Sequence, residues 1–272
     1  MIKYVIASSL LLVGCGAEEQ NAGNPLSLYT FDCGSIEVSD LDAFSSTGDY
    51  AGQSGSLTNT CYLIRHPQGD LLWDLGLPDA LVGVGPQTEG IFTTTLERTL
   101  IEQLAYIGLT AQDIEFVSIS HSHFDHSGQA ALFSESQWLV NKNEFDYMFS
   151  TDANKVQNAA FAELSNSIHT GNLDVFGDGS VMILELPGHT PGHSALQVNL
   201  TDSGPVLLTG DLYHRTESRE LKRVPRFNSD EPQTRESMDL FEMLATESGA
   251  RVIIQHEPAD VATLPKPPAF LK

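Results

Sequence analysis

The stretch His121-Ser122-His123-Phe124-Asp125-His126-Ser127-Gly128 decides how this chain is read. It follows a β-like run, Glu115-Phe116-Val117-Ser118-Ile119-Ser120. Side chains along a strand alternate with period two, so His121 and His123 leave the strand's end on one side. A turn through Asp125 brings Asp125 and His126 to the other side of the same pocket. Imidazole and carboxylate are ligands that borderline divalent metals prefer, zinc above all. The spacing assigns His121 and His123 to one metal, and Asp125 and His126 to a neighbour. The competing reading is a polar, His-containing loop that holds no metal, and the downstream sequence argues against it.

Three later strand-like runs each end in a metal-ligand type. Leu186-Pro187-Gly188-His189-Thr190-Pro191-Gly192-His193 follows one, with Gly188 and Gly192 permitting a tight backbone around His189. Thr209-Gly210-Asp211 ends the next, and Ile253-Ile254-Gln255-His256 ends the last. An αβ fold gathers strand ends, and hence its sites, along one edge. Of the other histidines, His66 reads as exposed at a hairpin edge and His169 as bland in a polar segment. His193 reads as hydrogen-bonding within its loop rather than as a ligand.

Around these runs the pattern is strands, helix, strand and site, given twice. Strands are expected over 26–38, 59–66 and 70–75, the last two a hairpin around Pro67-Gln68-Gly69. An amphipathic helix is expected over 93–107, stopped by Gly108, with a further helix over 143–149. Segment 151–170 is ambiguous, helical at best. A second run of strands precedes an amphipathic helix over 237–246 and a buried strand over 251–255. Two similar αβ halves packing their sheets face to face, with helices outside, satisfy this order.

The combination HxHxDH, GHTPGH, GD and a late His resembles the metallo-β-lactamase superfamily over about residues 26–265. The resemblance implies an αββα sandwich of two mixed sheets with a dinuclear metal site at its edge. Carried over by position, His121, His123 and His189 hold the first ion, Asp125, His126 and His256 the second, and Asp211 bridges both. Two divalent ions, Zn²⁺ or else Fe²⁺, Mn²⁺ or Co²⁺, would share a bridging hydroxide nucleophile. A bridging Asp211 is not expected in the β-lactam-cleaving branches. The chain also ends soon after His256 with few basic residues, unlike glyoxalase II.

Thr60-Cys61-Tyr62-Leu63-Ile64 with Trp73-Asp74-Leu75-Gly76-Leu77-Pro78 is similar to N-acyl-homoserine lactonases. The resemblance implies opening of the lactone ring of an acyl lactone substrate, with Asp125 passing a proton to the leaving alkoxide. Many of these lactonases place a Tyr three residues after the bridging Asp. Here the order is Asp211-Leu212-Tyr213-His214, so Tyr213 is the candidate to bind the substrate carbonyl and His214 its rival. Phe92, Phe145, Met148 and Phe227 are candidate walls for the acyl chain, each competing with a core role. Rival functions are another ester, lactone or organophosphate hydrolase of this fold, or a surface lipoprotein that holds metal without turnover.

The start of the chain reads apart from the fold. Met1-Ile2-Lys3 and a mostly apolar run over 4–13 suit a secretory signal and are too short to span a bilayer. Leu12-Val13-Gly14-Cys15 looks like the lipobox of bacterial lipoproteins, which implies a signal over 1–14 and lipidation at Cys15. Residues 15–25 are a polar tether and 26–272 a single metallo-hydrolase domain. Gly16 in place of Asp points to the outer membrane, facing the periplasm or the surface, with the lipid anchor as the sole membrane contact. Net charge is −22, from 14 basic and 36 acidic residues, which argues against nucleic acid. Cys33 and Cys61 remain for a disulfide or for two buried thiols. A homodimer is compatible with the chain.

Overall fold

The computed structural model describes residues 25–272. The signal over 1–14, Cys15 and nearly all of the tether lie outside the described residues. The first sheet holds β1 (Ser27–Val38), β2 (Gly55–His66), β3 (Gly69–Trp73), β4 (Gln87–Glu89), β5 (Phe92–Thr95), β6 (Phe116–Ser118), β7 (Gln137–Asn141) and β8 (Ser165–His169). Their order is β4-β5-β1-β2-β3-β6-β7-β8. The second sheet holds β9 (Leu173–Asp174), β10 (Val181–Glu185), β11 (Ser194–Leu200), β12 (Gly204–Leu208) and β13 (Arg251–Ile253), in the order β13-β12-β11-β10-β9. Both are mixed: β3-β6-β7-β8 run parallel, as do β12 and β13, and the other pairs are antiparallel.

The helices are α1 (Leu100–Tyr106), α2 (Phe124–Ser127), α3 (Lys142–Met148), α4 (Asp152–Gln157), α5 (Ala159–Ala162), α6 (Thr216–Leu221), α7 (Glu231–Ser248) and α8 (Pro258–Val261). Period-two alternation sorts the apolar side chains into layers. Tyr62, Ile64, Leu71 and Trp73 face Leu196, Val198, Val206 and Leu208 between the sheets. Their neighbours Leu63 and Leu72 turn outward against Leu100 and Leu104 of α1, Met148 of α3 and Phe161 of α5. On the far side, Leu184, Ala195 and Leu207 pack on Met238, Phe241 and Ala245 of α7. Burying a side chain such as Met238 or Phe241 contributes roughly 1.5–3 kcal/mol. The four layers are the expected αββα sandwich.

Several elements differ from expectation. The helix expected over 93–107 starts only at Leu100. Thr93-Thr94-Thr95 is a β-branched run suited to a strand, and it pairs with β1 as β5. Thr99 then caps α1: its hydroxyl accepts from Glu102 N at 3.2 Å, and Glu102 Oε2 accepts from Thr99 N at 2.8 Å. Segment 151–170 divides into α4, α5 and β8, and β8 is a mostly exposed edge strand without an apolar alternation to announce it. Helix α7 extends beyond 237–246 because Asp230 caps it, accepting from Gln233 N.

Cys33 and Cys61 form a disulfide across β1 and β2, with Cα atoms 5.8 Å apart. His66 is buried rather than exposed. Its ring stacks on Phe176 at 3.9 Å, and Nε2 lies 3.0 Å from Asp178 Oδ2, partners supplied by a distant part of the chain. Among the described residues no helix is long and apolar enough to cross a membrane.

Candidate metal centre

The site lies where β6, β10, β12 and β13 end. The chain leaves β6 at Ser118, passes His121 and His123, and turns into α2 with Asp125 and His126. Gly128 closes this turn. Its N–H donates to Gly76 O at 2.8 Å, and a Cβ at this position would lie 2.3 Å from Pro78 N. Gly192 has the same necessity in the His189 loop, since a Cβ there would lie 2.1 Å from Glu144 N. Asp211 sits in the short 3-10 turn Gly210–Leu212 after β12. Two loops and two strand ends are thereby pressed together.

Seven side chains converge in two groups of ligand atoms, each group within 4.8 Å: His121, His123, His189 and Asp211, and Asp125, His126 and His256. In the first, His123 Nδ1 lies 2.8 Å from His121 Nε2 and 3.1 Å from His189 Nε2. In the second, His126 Nε2 and His256 Nε2 are 3.1 Å apart, with Asp125 Oδ2 at 3.7 and 3.5 Å from them. Asp211 faces both groups. Its Oδ2 lies 3.5 and 3.4 Å from His121 and His189, and its Oδ1 lies 3.1 and 2.9 Å from His126 and His256.

For three of the histidines the outer ring nitrogen is already engaged by an acceptor, which sets the tautomer. His126 Nδ1 lies 3.0 Å from Asp74 Oδ2, and His256 Nδ1 lies 2.7 Å from Thr58 O. His189 Nδ1 lies 3.2 Å from Asn228 Oδ1. With Nδ1 donating, each Nε2 turns a lone pair inward. Asp211 Oδ1, buried, has no hydrogen-bond donor of its own. Lone pairs and carboxylate oxygens aimed at one another call for cations between them, so the donor set fits divalent metal.

Electrostatics agree. Burial and the neighbouring imidazoles push the pKa values of His121 and His123 well below the usual range, leaving neutral ligands. Burial disfavours a charged His126, yet Asp211, Asp74 and Asp125 outweigh it and raise its pKa, a concentration of negative charge that a bound cation would offset in place of a ring proton. Burial opposes ionisation of Asp211, but His214, His256, His126 and His121 hold its carboxyl well below the carboxylate range.

Two buried carboxylates that the sequence did not single out hold the ligands in place. Asp74 adopts φ 60°, an unusual backbone for a residue with a Cβ. That turn lets Oδ1 accept from Ser120 N at 2.6 Å while Oδ2 meets His126 Nδ1 and accepts from Gln255 Nε2 at 2.8 Å. Glu144 Oε1 accepts from Ser122 N at 2.8 Å. Its Oε2 accepts from Thr190 Oγ1 at 2.7 Å and from Gly192 N at 3.0 Å, so one side chain clamps the two histidine loops. Asp74→Asn, which swaps an acceptor for a donor facing His126, is expected to weaken metal binding by about 10- to 100-fold. Competition with a chelator measures this, and unchanged affinity would remove Asp74 from the account.

His193 stays within its loop as expected: Nδ1 donates to Leu186 O at 2.9 Å, and Nε2 accepts from Asp211 N at 3.0 Å. It thereby steadies the backbone of Asp211. Half-buried His169 bonds Gly171 O at 3.0 Å, as its bland reading implied.

Tyr213 requires correction. Its hydroxyl donates to Glu242 Oε1 at 2.9 Å and its ring packs on Phe241 of α7, behind the ligands. His214 instead lines the cleft, with Nε2 2.9 Å from Asp211 Oδ2. The 3-10 turn at Asp211 swings the third residue after Asp211, His214, toward the opening, and not the second, Tyr213.

The cleft over the ligands measures about 250 Å³, and Ile36, Phe44, Leu57, Phe92, Phe124 and Phe227 give it apolar walls. Phe92 and Phe227 were expected. Phe145 and Met148 instead pack in the core beneath α3.

A sandwich with two clustered His/Asp groups at its sheet edge is the architecture of a metal-dependent hydrolase. Residues 55–256 match the profile of the metallo-β-lactamase superfamily, and the chain belongs to that superfamily. It is 27% identical over 227 residues to the N-acyl homoserine lactonase AttM of Rhizobium radiobacter, covering 77% of this chain and 85% of that one. It is 30% identical over 171 residues to an N-acyl homoserine lactonase of a Bacillus species, covering 59% and 66%. Among solved structures, an N-acyl homoserine lactone hydrolase with N-hexanoyl-L-homoserine at its catalytic metal centre matches with TM-score 0.79 and 24% identity, covering 91% of this chain and all of that one. The dizinc quorum-quenching lactonase AidC matches with TM-score 0.68 and 18% identity, over 90% and 93%. These likenesses support the sandwich fold.

Proposed function

We propose that this chain is an exported, lipid-anchored hydrolase that holds two divalent metal ions, Zn²⁺ foremost, and opens the lactone ring of N-acyl homoserine lactones. The observation that carries this is Asp211, whose two oxygens face separate histidine groups at the floor of an apolar cleft. His121, His123, Asp125, His126, His189, Asp211 and His256 would hold the ions, which when bound would polarise a carbonyl and lower the pKa of a bound water toward neutrality. The AttM and Bacillus relatives, named as lactonases, support the substrate class. Lipidation at Cys15 and an outer-membrane location rest on the lipobox-like Leu12-Val13-Gly14-Cys15 alone.

The chain's own residues divide the work. Phe44, Phe92 and Phe227 shield the acyl chain from water, and Phe44 also holds the His214 ring edge-on at 4.8 Å. Water adds to the ring carbonyl and the acyl C–O bond breaks. The leaving oxygen takes a proton that Asp125, on the cleft wall, is placed to carry. His214 is the side chain positioned to meet the carbonyl. His214→Ala is expected to lower kcat/KM by at least about tenfold, while Tyr213→Phe stays within about threefold. The reverse ranking would return the role to Tyr213.

The substrate is tested with acyl-homoserine lactones of rising chain length, beside a glutathione thioester, a β-lactam and an organophosphate. Turnover concentrated on the lactones is the expected result. Turnover confined to one of the other three contradicts the proposal.

A further inference from the structure

A second cleft, of about 380 Å³, lies between β1, β2, the end of α1 and the segment after α8. Arg98 and Lys266 stand on its rim. They are the two cations among the described residues that make no ion pair or hydrogen bond. The other described Lys and Arg side chains are engaged, most with carboxylates. In a chain of net charge −22, unpaired cations gathered on one cleft point to an anion. Asp32, which accepts from Gly34 N at 3.0 Å, is the one acidic residue on the lining, and although Arg98 also acts on the Glu102 carboxylate outside it, two cations face a single lining carboxylate.

The interior supplies a second observation. Thr30 Oγ1 and Asn59 Oδ1, both on buried residues that line this cleft, have no hydrogen-bond partner. Buried polar atoms are rarely left unpaired without a ligand or water to meet them. Asn59 Oδ1 accepts only, so what it lacks is an N–H or O–H. Tyr106, Leu264 and Pro267 add apolar surface between floor and rim.

We propose that this cleft binds a small amphipathic carboxylate that also carries an N–H or O–H donor. The carboxylate sits between Arg98 and Lys266, the donor reaches Asn59 Oδ1, and a short apolar chain lies against Tyr106 and Leu264. The site is separate from the metal centre, though Asn59 touches both, since its Nδ2 donates to Asp125 O at 2.7 Å. It does not depend on which substrate the metal centre takes.

Calorimetric titration of the metal-loaded protein with N-hexanoylglycine tests this. That probe has a carboxylate and an amide N–H but no ring to open. Arg98→Glu combined with Lys266→Glu, both at exposed positions, is expected to weaken binding by at least about tenfold without changing the melting temperature or basal turnover. Hexanoate, which lacks the N–H, is expected to bind several-fold more weakly than the amide. Absence of binding, equal affinity of native protein and double variant, or equal affinity of the two probes would overturn the assignment. Competitive inhibition of turnover with an inhibition constant equal to the Kd would place the probe at the metal centre and overturn it as well.

Discussion

Asp211→Asn is expected to lower kcat/KM by on the order of a thousandfold, about 4 kcal/mol of lost transition-state stabilisation. The reasoning starts from geometry. One carboxylate oxygen faces His121 and His189, the other faces His126 and His256, and none of these side chains is exposed to solvent. An amide keeps the shape but removes the negative charge shared by both groups. It also turns an N–H₂, which cannot ligate a cation, toward the imidazole lone pairs on one side, where it donates hydrogen bonds in the place a metal would take. The variant should therefore hold less metal as well as turn over more slowly. Metal content measured beside kinetics separates a lost ion from a poorly used one. A variant with full metal content and native kcat/KM would show that Asp211 bridges nothing.

Glu144→Ala is expected to destabilise the protein by about 4 kcal/mol, lowering its melting temperature by roughly 10 °C. Glu144 is 2% exposed and meets three donors, Ser122 N, Thr190 Oγ1 and Gly192 N. Alanine orphans all three in the interior, at about 1–3 kcal/mol each before water enters the vacated space. The loss falls on the two loops that carry His121, His123 and His189, so affinity for the first ion should drop with stability. Thermal denaturation with and without metal reads both effects. If Glu144→Ala melts within about 2 °C of the native protein, the clamp is not structural.

The ligands were legible in the sequence because each is fixed by its own neighbourhood. His121, His123, Asp125 and His126 sit in one short run, while His189, Asp211 and His256 each follow a strand. Glycines mark the close approaches, as Gly128 against Pro78 and Gly192 against Glu144 show. Asp74 and Glu144 were not legible in that way, because their partners lie far along the chain. The donors and histidine that meet Asp74 come from positions 120, 126 and 255. His66 was misread for the same reason, since Phe176 and Asp178 bury it from more than one hundred residues away.

The apolar walls were half legible. Phe92 reaches the cleft from the short strand β5 and Phe227 from a loop, but Phe145 sits on the face of α3 turned toward Trp138. Periodicity marks an apolar face without saying which layer covers it. Tyr213 failed on phase. The turn through Asp211, at φ −95° and ψ 21°, directs Tyr213 to Glu242 and His214 to the opening. In β5, three consecutive threonines outweighed the helical spacing of Leu96, Leu100 and Leu104, and Thr99 fixed where the helix begins.

The central claim is that the seven side chains form one hydrolytic centre for two ions. Protein stripped with a chelator and titrated with Zn²⁺, following bound metal and lactone opening together, tests it most directly. The account predicts negligible turnover without metal and activity that rises to its plateau as the second equivalent binds. Full activity in the stripped protein, or a plateau reached at one equivalent, would contradict it.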